Sequence, residues 1–506
     1  MMKRLLTITL VAVFLTGGLA IESFGEDKPQ YGGVLKAIRG NFPKVIGLPT
    51  AMSPTDRIFC LPFAERLTNW DAKGNLLPEL AESWDEDPAA ETITYHLRKG
   101  VTFQDGSPFN ADVVKWNLQT RLDKKRLTSG KYVKSIEVLD DYTVRVYVKG
   151  YNNRLTFDYG WQQMFSREAV EKHDEEWARK NGVGTGPFKF AEFQRDNFIK
   201  YVRNDNYWRK GYPYLDGIEV RFIPDVMTAS AIMQANEADC WQDVGDVQSV
   251  LALEEKGFKV NWGPGMFWAL LSNSSDPKSP YYKKEVREAL EYAIDRPTMA
   301  KLLGHGKYEP LFQMAHAGSP GYVPGYNPRP YNPEKAKQLL AEAGYPNGFQ
   351  TTLLSMSNYQ DSAAALKSYL EAVGIKVRLD LADLGRYFDA LFQTGWSDLV
   401  FTPNGIDPDG GDLFVHYGPD PITYRTGNIK KSPEYLAACN EALHTYDKAL
   451  AVEKLKQAVK LGGEDAMIVP IYRSAQANVM QPYVHSKYML IHTSLWQPYD
   501  TWMEKH

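Results

Sequence analysis

The chain has 506 residues, 43% of them hydrophobic, 24% charged and 13% aromatic, with no low-complexity block and no short internal repeat. That fits a soluble globular protein of two or three structural units. The formal net charge is -4, and no basic run is long enough to track a phosphate backbone, which excludes nucleic acid as a partner.

Lys3 and Arg4 precede an apolar run from Leu5 to Phe14 that continues loosely to Ile21. The small residues Gly17, Gly18, Ala20, Ser23 and Gly25 follow. This is the layout of a secretory signal. Cleavage falls after Ser23-Phe24-Gly25 or after Gly18-Leu19-Ala20. An uncleaved membrane anchor is the competing reading, although the strongly apolar core is short for a spanning helix. No cysteine stands near the cleavage site to carry a lipid. Residues 1–25 are therefore expected to be removed, leaving the mature protein free in a periplasm-like space. No other segment approaches the roughly 18 apolar residues of a membrane span.

In the mature chain, Tyr31-Gly32-Gly33 is a turn and Val34 to Ile38 a strand. Asn41 to Pro62, rich in proline, reads as mostly loop. Pro78 to Trp84 reads as a short amphipathic piece, with a turn at Glu86-Asp87-Pro88. Ile93, Tyr95 and Leu97 then alternate with Thr92, Thr94, His96 and Arg98, the period of a half-buried strand. Lys99-Gly100 and Asp105-Gly106 are turn dipeptides. Asn110 caps a helix with Asp112 in its first turn and Val113, Val114 and Leu118 on one face.

Val133 to Val148 holds two strands around an Asp140-Asp141-Tyr142 turn. In Gly184-Thr185-Gly186-Pro187-Phe188 the glycines permit a tight backbone path, and Phe188 and Phe190 continue as strand. A strand from Asp216 precedes a helix expected to carry Ala231, Met233 and Asn236-Glu237-Ala238-Asp239. Tyr282 to Leu303 reads as one long helix. Helices follow from Pro333 to Gly344, with Asn332 as cap, and from Asp361 to Gly374. Ile375 to Leu381 is a strand, with a helix around Tyr387 to Thr394. Glu434 to Leu461 reads as helical and Ile468 to Tyr472 as a strand. The alternation suggests an α/β lobe.

Several of these pieces match a known pattern letter for letter. They are P-E-L-A-E-S-W at 78–84, T-Y-H-L-R-K-G-V-x-F-x-D-G-x-P-F at 94–109 and A-D-V-V at 111–114. Gly184 to Phe188, E-V-R-E-A-L-E-Y-A-I-D-R at 285–296 and Asp407-Pro408-Asp409 add to them. Together they resemble the family 5 extracellular solute-binding proteins, the peptide, nickel-chelate and oligosaccharide receptors of ABC importers. The resemblance runs over about residues 31–500. It implies an α/β, two-lobe periplasmic-binding-protein (Venus flytrap) fold, with an extra subdomain in lobe one. Lobe one would be 26–268, with 57–182 as the added subdomain and the tail 482–506 returning to it. Lobe two would be 269–481. The partners implied are a small-molecule or peptide ligand and the permease and ATPase subunits at the membrane, with the receptor itself a monomer.

No enzymatic constellation stands out. H-E-x-x-H, G-x-S-x-G and C-x-x-C are absent, and Ser275-Asp276-Pro277-Lys278 fits S-x-x-K only in a loop without that motif's companions. The nine histidines are scattered singly, His96 and His416 among them, and read as structural. Cys60, Cys240 and Cys439 are compatible with one disulfide plus a thiol or with three buried thiols, and none has zinc-ligand spacing. No catalytic residue, metal site or cofactor is expected.

Large rings stack on planar ligands at little entropic cost. Trp241, Trp268 and Phe401 are singled out because the resemblance places cleft residues near their motifs. In the peptide receptors of the family, an aspartate shortly before the D-P-D turn holds the peptide's α-ammonium, since a buried charge needs a partner. Residues 399–406 contain no carboxylate here, and Asn404 is the nearest polar group. That leaves short or modified peptides, oligosaccharides and metal chelates open. Asp407 either contacts ligand or only shapes its turn. Arg425 and Arg57 are either carboxylate partners or solvated surface. A secreted two-lobe hydrolase is the alternative class.

Overall fold

A strand with one face buried throughout and the other buried only at its C-terminal end lies inside the main sheet. In β1 (Val34–Arg39), Leu35 and Ala37 pack into one apolar cluster and Ile38 into another. It pairs in parallel with two later strands. The computed structural model describes residues 28–71, 74–405, 416–419, 427–486, 496 and 498–504. The N-terminal segment 1–25, Asp407, Asp409, Arg425 and part of the 482–506 tail lie outside the described residues. No helix of the described residues is long and apolar enough to cross a membrane.

A short hairpin, β2 (Thr68–Trp70) with β3 (Leu76–Pro78), leads into a four-stranded antiparallel sheet. That sheet comprises β4 (Ala81–Asp87), β5 (Thr92–Leu97), β6 (Val133–Asp140) and β7 (Thr143–Val148), in the order β4-β5-β7-β6. Ile93, Tyr95 and Leu97 bury against Val144, Val146, Val114 and Leu118. The helix Ala111–Asp123 begins where expected, with the Asn110 side chain accepting from the Val113 N–H. The amphipathic piece expected at Pro78 to Trp84 is instead the end of β3 and the start of β4. The turn falls later than Glu86-Asp87, because β4 pairs with β5 as far as Asp87 opposite Thr92.

The remaining strands are β8 (Phe188–Gln194), β9 (Phe198–Arg203), β10 (Gly217–Phe222), β11 (Cys240–Val244), β12 (Lys259–Ser272), β13 (Glu309–Pro310), β14 (Gln350–Met356), β15 (Lys376–Ala382), β16 (Leu399–Asn404), β17 (Val469–Met480), β18 (Val484–His485) and β19 (Trp502–Met503). With β1 they form an 11-stranded sheet ordered β15-β14-β16-β12-β17-β11-β1-β10-β9-β8, with β13 on β17 and β18-β19 apart. Two strands hold its ends together. β12 and β17 run antiparallel from Lys259↔Met480 to Leu270↔Val469. Near Met480, β17 lies beside β11, and near Phe267, β12 lies beside β16. The register shifts between Pro264 and Phe267. There Gly265 approaches Ser474 so closely that an added Cβ would sit 2.5 Å from its Oγ, and the Met266 N–H donates to that Oγ at 2.9 Å.

The apolar clusters divide at this crossing. One contains only residues from Phe267 to Tyr472. Ala477 and Val479 of the same β17 pack with Ile38, Trp241 and Val244 in another.

Local chemistry corrects several expected elements. The helix read over Tyr282 to Leu303 is two, Lys284–Ala293 and Arg296–Leu303. Asp295 caps the second through the Thr298 N–H, and Pro297 supplies no amide donor to continue the first. The helix read over Glu434 to Leu461 breaks at Thr445 to Asp447, where Asp447 caps Lys448–Glu464. The loop from Asn41 to Pro62 contains the helix Pro54–Cys60, started by a Ser53–Asp56 capping box. Asn236 to Asp239 lie beyond the helix Val226–Gln234, with Asn236 left-handed. Cys60, Cys240 and Cys439 are buried free thiols.

Candidate functional site

The C-terminal ends of β14 and β16, with the stretch of the antiparallel β12 that faces them, gather an aromatic group. Trp268 on β12 stacks on Phe401 of β16 with ring centroids 4.8 Å apart, brought together by the Leu270↔Phe401 and Trp268↔Pro403 register. Tyr359, just past β14, lies 4.2 Å from Trp268, and Tyr308 stacks on Tyr472 at 5.0 Å. The Tyr472 and Ser362 hydroxyls are hydrogen-bonded at 2.8 Å. Trp268 and Phe401 are fully buried, whereas Tyr308 and Tyr359 keep an accessible edge. Burial, with Tyr359 and Asp246 nearby, pushes the Tyr308 hydroxyl up to about 12. Asp246 belongs to the other side of the crossing, where it caps the helix Val247–Glu254. Lys307 bridges the same junction, 3.9 Å from Glu254 and over the Trp262 ring.

Asn404 ends β16 buried, its Nδ2 donating to the Tyr417 hydroxyl at 3.0 Å. Nearby in sequence, the Lys431 Nζ donates to the Gly418 carbonyl, and burial pulls its pKa down to about 8. Trp241 is not brought to this group; it is 4% exposed and packs in the cluster containing Ile38 and Val479. Ser275 donates to the Gly427 carbonyl and Asp276 accepts from the Lys278 N–H, so the S-x-x-K letters mark a turn. His96 pairs with Asp85 on the outer face of β5. Among the described residues no cluster of three or more His, Cys, Asp or Glu could hold a metal.

A second constellation escaped the sequence reading. Arg66 lies over the Trp161 ring, 3.3 Å from its centroid. Trp161 is 4.6 Å from Trp70, and Trp70 stacks on Phe157 at 4.3 Å. Arg154 caps the series over Phe157. The only trace in sequence is the spacing of Arg154, Phe157 and Trp161, which puts them on one side of a helix. The segment before it touches the larger cluster's helices. Asn153 donates through its backbone N–H to the Leu443 carbonyl and through its side chain to that of Ala442, and Tyr151 meets Tyr446.

Behind Arg66 lie two buried carboxyls. Glu65 accepts from Thr185, Tyr207 and Trp208, and Glu79 accepts from the Arg66 N–H. Burial first, and then Glu65, raises Glu79 from 4.5 to about 8. The folded state thus favours its neutral form. The resulting stability is complete below about pH 4.5 and is lost as the pH rises through about 8. Glu79→Gln is expected to flatten the fall in urea midpoint between about pH 5 and about 8. An unchanged slope would place the titrating group elsewhere.

The model described as bacterial extracellular solute-binding proteins, family 5 Middle, matches residues 75–421. Glutathione-binding protein GsiB of Escherichia coli (strain K12) is 31% identical over 434 residues, covering 81% of this chain and 83% of that protein. Among solved structures, the periplasmic binding protein DppA from Helicobacter pylori in complex with peptide STSA has a TM-score of 0.81 at 25% identity, covering 94% of this chain and 99% of that one. AgaA from Agrobacterium tumefaciens R10 in complex with agropinic acid has a TM-score of 0.81 at 26% identity, with the same coverage.

Proposed function

Because the chain belongs to the bacterial extracellular solute-binding proteins of family 5, the substrate-binding components of ABC importers, we propose that it captures a short or modified peptide between two lobes and delivers it to the permease. It binds a small ligand and works with the membrane permease and its ATPase. We place it in the periplasm as a monomer, its signal segment cleaved and no lipid attached, leaving the cargo's bonds unchanged. The lobes are those of the resemblance, 26–268 with 482–506 and 269–481. Closure turns about the β12–β17 crossing, and the ligand acts through its higher affinity for the closed state.

The observation that carries this reading is the crossing itself. Two strands join two separately packed apolar cores, and the Trp268, Phe401, Tyr359 and Tyr308 rings gather at the junction. Trp268 and Phe401 back the cleft, Trp241 supports the opposite wall, and Asn404, Asp407 and Arg425 supply polar contacts from the loop after β16.

Reduced glutathione and the peptide Ser-Thr-Ser-Ala, each tested by thermal shift and small-angle scattering, are the first probes. A probe present at 100 times its Kd is expected to stabilise the protein by about 2.7 kcal/mol and to reduce its radius of gyration. Mass spectrometry should recover that probe intact. Turnover, or binding with no compaction, would overturn the reading. With Asn404 in place of a carboxylate, Nα-acetylation of the peptide is expected to change its Kd by less than about threefold. Unpairing a buried ammonium would instead cost several kcal/mol.

A further inference from the structure

The wall built on Arg66 carries more positive charge than it neutralises. Arg66 and Gln163 face each other in an antiparallel bridge. The Gln163 carbonyl accepts from Arg121 at 2.6 Å, and its side-chain Nε2 donates to the Arg57 carbonyl at 2.9 Å. Arg57 and Arg66 thus flank Gln163 through their backbones, Arg121 reaches it with its guanidinium, and the Arg57 charge is near enough to lower both Arg66 and Arg121. Arg121 spends its donors on the Gln163 carbonyl, the Asn117 carbonyl and the Asn117 side chain. Among the described residues, neither the Arg57 nor the Arg66 guanidinium makes a hydrogen bond or an ion pair. Among the described residues, the Glu79 carboxyl accepts from the Arg66 backbone N–H and from no arginine side chain, and it is held toward its neutral form. Burial lowers all three arginines, Arg66 to about 10, which leaves them charged at neutral pH.

The surroundings are equally unsatisfied. Among the described residues, Arg66 Nε, Thr68 Oγ1, Trp70 Nε1, Thr156 Oγ1, Gln162 Oε1 and Gln163 Oε1 are buried polar atoms without hydrogen-bond partners. Each such atom costs about 1–3 kcal/mol if left unpaired, and native proteins keep them where a ligand or water completes them. All six come from the short stretches 66–70 and 156–163. The Arg66 guanidinium lies over the Trp161 ring, which Trp70 backs from the side, so stacking restrains its plane. Asn153 and Tyr151, just upstream, touch the other core, which sets the wall along the junction.

We propose that Arg57 and Arg66 form a carboxylate-binding subsite on the lobe-one wall of the cleft, and that the solute is a small carboxylate anion. Trp161 and Gln163 are positioning residues for it. The proposal rests on the receptor reading above. A planar guanidinium pairs with a carboxylate through two parallel N–H···O bonds, which a lysine cannot reproduce. The absence of any carboxylate at 399–406 fits an anchor that grips the acidic end of the solute.

The probes are reduced glutathione, glutarate, Ser-Thr-Ser-Ala and the C-terminal amide of that peptide, measured by calorimetry against wild type, Arg66→Gln, Arg66→Lys and Arg57→Gln. Wild type is expected to bind at least one carboxylate, and to prefer the peptide acid over its amide by about tenfold or more. Arg66→Gln and Arg57→Gln should abolish that preference, with Arg66→Lys in between. A merely structural arginine would lower both affinities and leave their ratio unchanged. Equal binding of acid and amide, or a preference that survives Arg66→Gln, overturns the proposal. If a periplasmic extract raises the melting temperature while no carboxylate probe binds, the subsite falls and the receptor reading stands. If neither extract nor probe does so, both fall.

Discussion

Glu291→Ala is expected to destabilise the larger core by about 3–5 kcal/mol, the usual result of removing one partner from a buried ion pair. Glu291 is 2% exposed and stands between Arg296, at 3.5 Å, and Arg329, at 3.3 Å. Arg329 also pairs with Glu288 at 2.8 Å and donates to the Gly463 and Glu464 carbonyls. Burial raises Glu291 and lowers Arg296, so desolvation opposes both charges and only their pairing offsets it. Deleting the carboxylate strands Arg296, whose Nε already lacks a partner among the described residues. The control replaces Glu291 and Arg296 together with Leu and Met. It is expected to recover most of the loss, since apolar groups of similar size carry no desolvation penalty. Urea unfolding read on near-UV dichroism decides. A double variant as weak as the single one would mean that packing, and not charge, holds the site.

Gly184→Ala is expected to cost about 3 kcal/mol, the upper end for overpacking against atoms that cannot yield. A Cβ there would stand 2.1 Å from the Phe63 carbonyl oxygen and 2.7 Å from the Ala64 Cα, both backbone. The approach is fixed from three directions. The Gly186 N–H donates to that Phe63 carbonyl at 2.9 Å, and the Gln104 N–H donates to the Gly184 carbonyl at 3.0 Å. The Gln104 Nε2 reaches the Phe63, Gly186 and Phe188 carbonyls. The methyl would pry these segments apart where the stretch carrying Gln104 meets the main sheet. Gly40 is the matched control: a Cβ added there would meet nothing within 4 Å, and its φ is not left-handed. Gly40→Ala should stay within about 0.5 kcal/mol of wild type. Equal midpoints for the two variants would sink the argument.

These two sites mark what could be read in advance. The α/β alternation followed from local chemistry, since turn dipeptides, the Asn110 cap and the alternation of Ile93, Tyr95 and Leu97 act within a few residues of themselves; the family followed from the resemblance carried by the letters at 78–84, 94–109 and 111–114. The letters E-A-L-E-Y-A-I-D-R were legible as helix, but the buried Glu291–Arg296 pair was not, because its third member is Arg329. The helix break at Asp295-Arg296-Pro297 is spelled out by a cap and a proline, against an apolar periodicity that runs on across it. Trp268 and Phe401 stand in separate motifs of the sequence, and only the β12–β16 register stacks them. Arg66 and Gln163 stayed invisible because residues almost a hundred positions apart become neighbours only through strand pairing.

The uninterrupted passage of β12 and β17 between the cores also bears on how the gene can be divided. A fragment ending at Ser272 would keep β12 but lose β17, which separates β12 from β11 in the sheet. Expressed alone it would expose a long row of bare amides and carbonyls, the kind of template on which chains associate. Neither piece would be a self-sufficient product, and two-plasmid complementation would have to rebuild that ladder before either fragment became soluble.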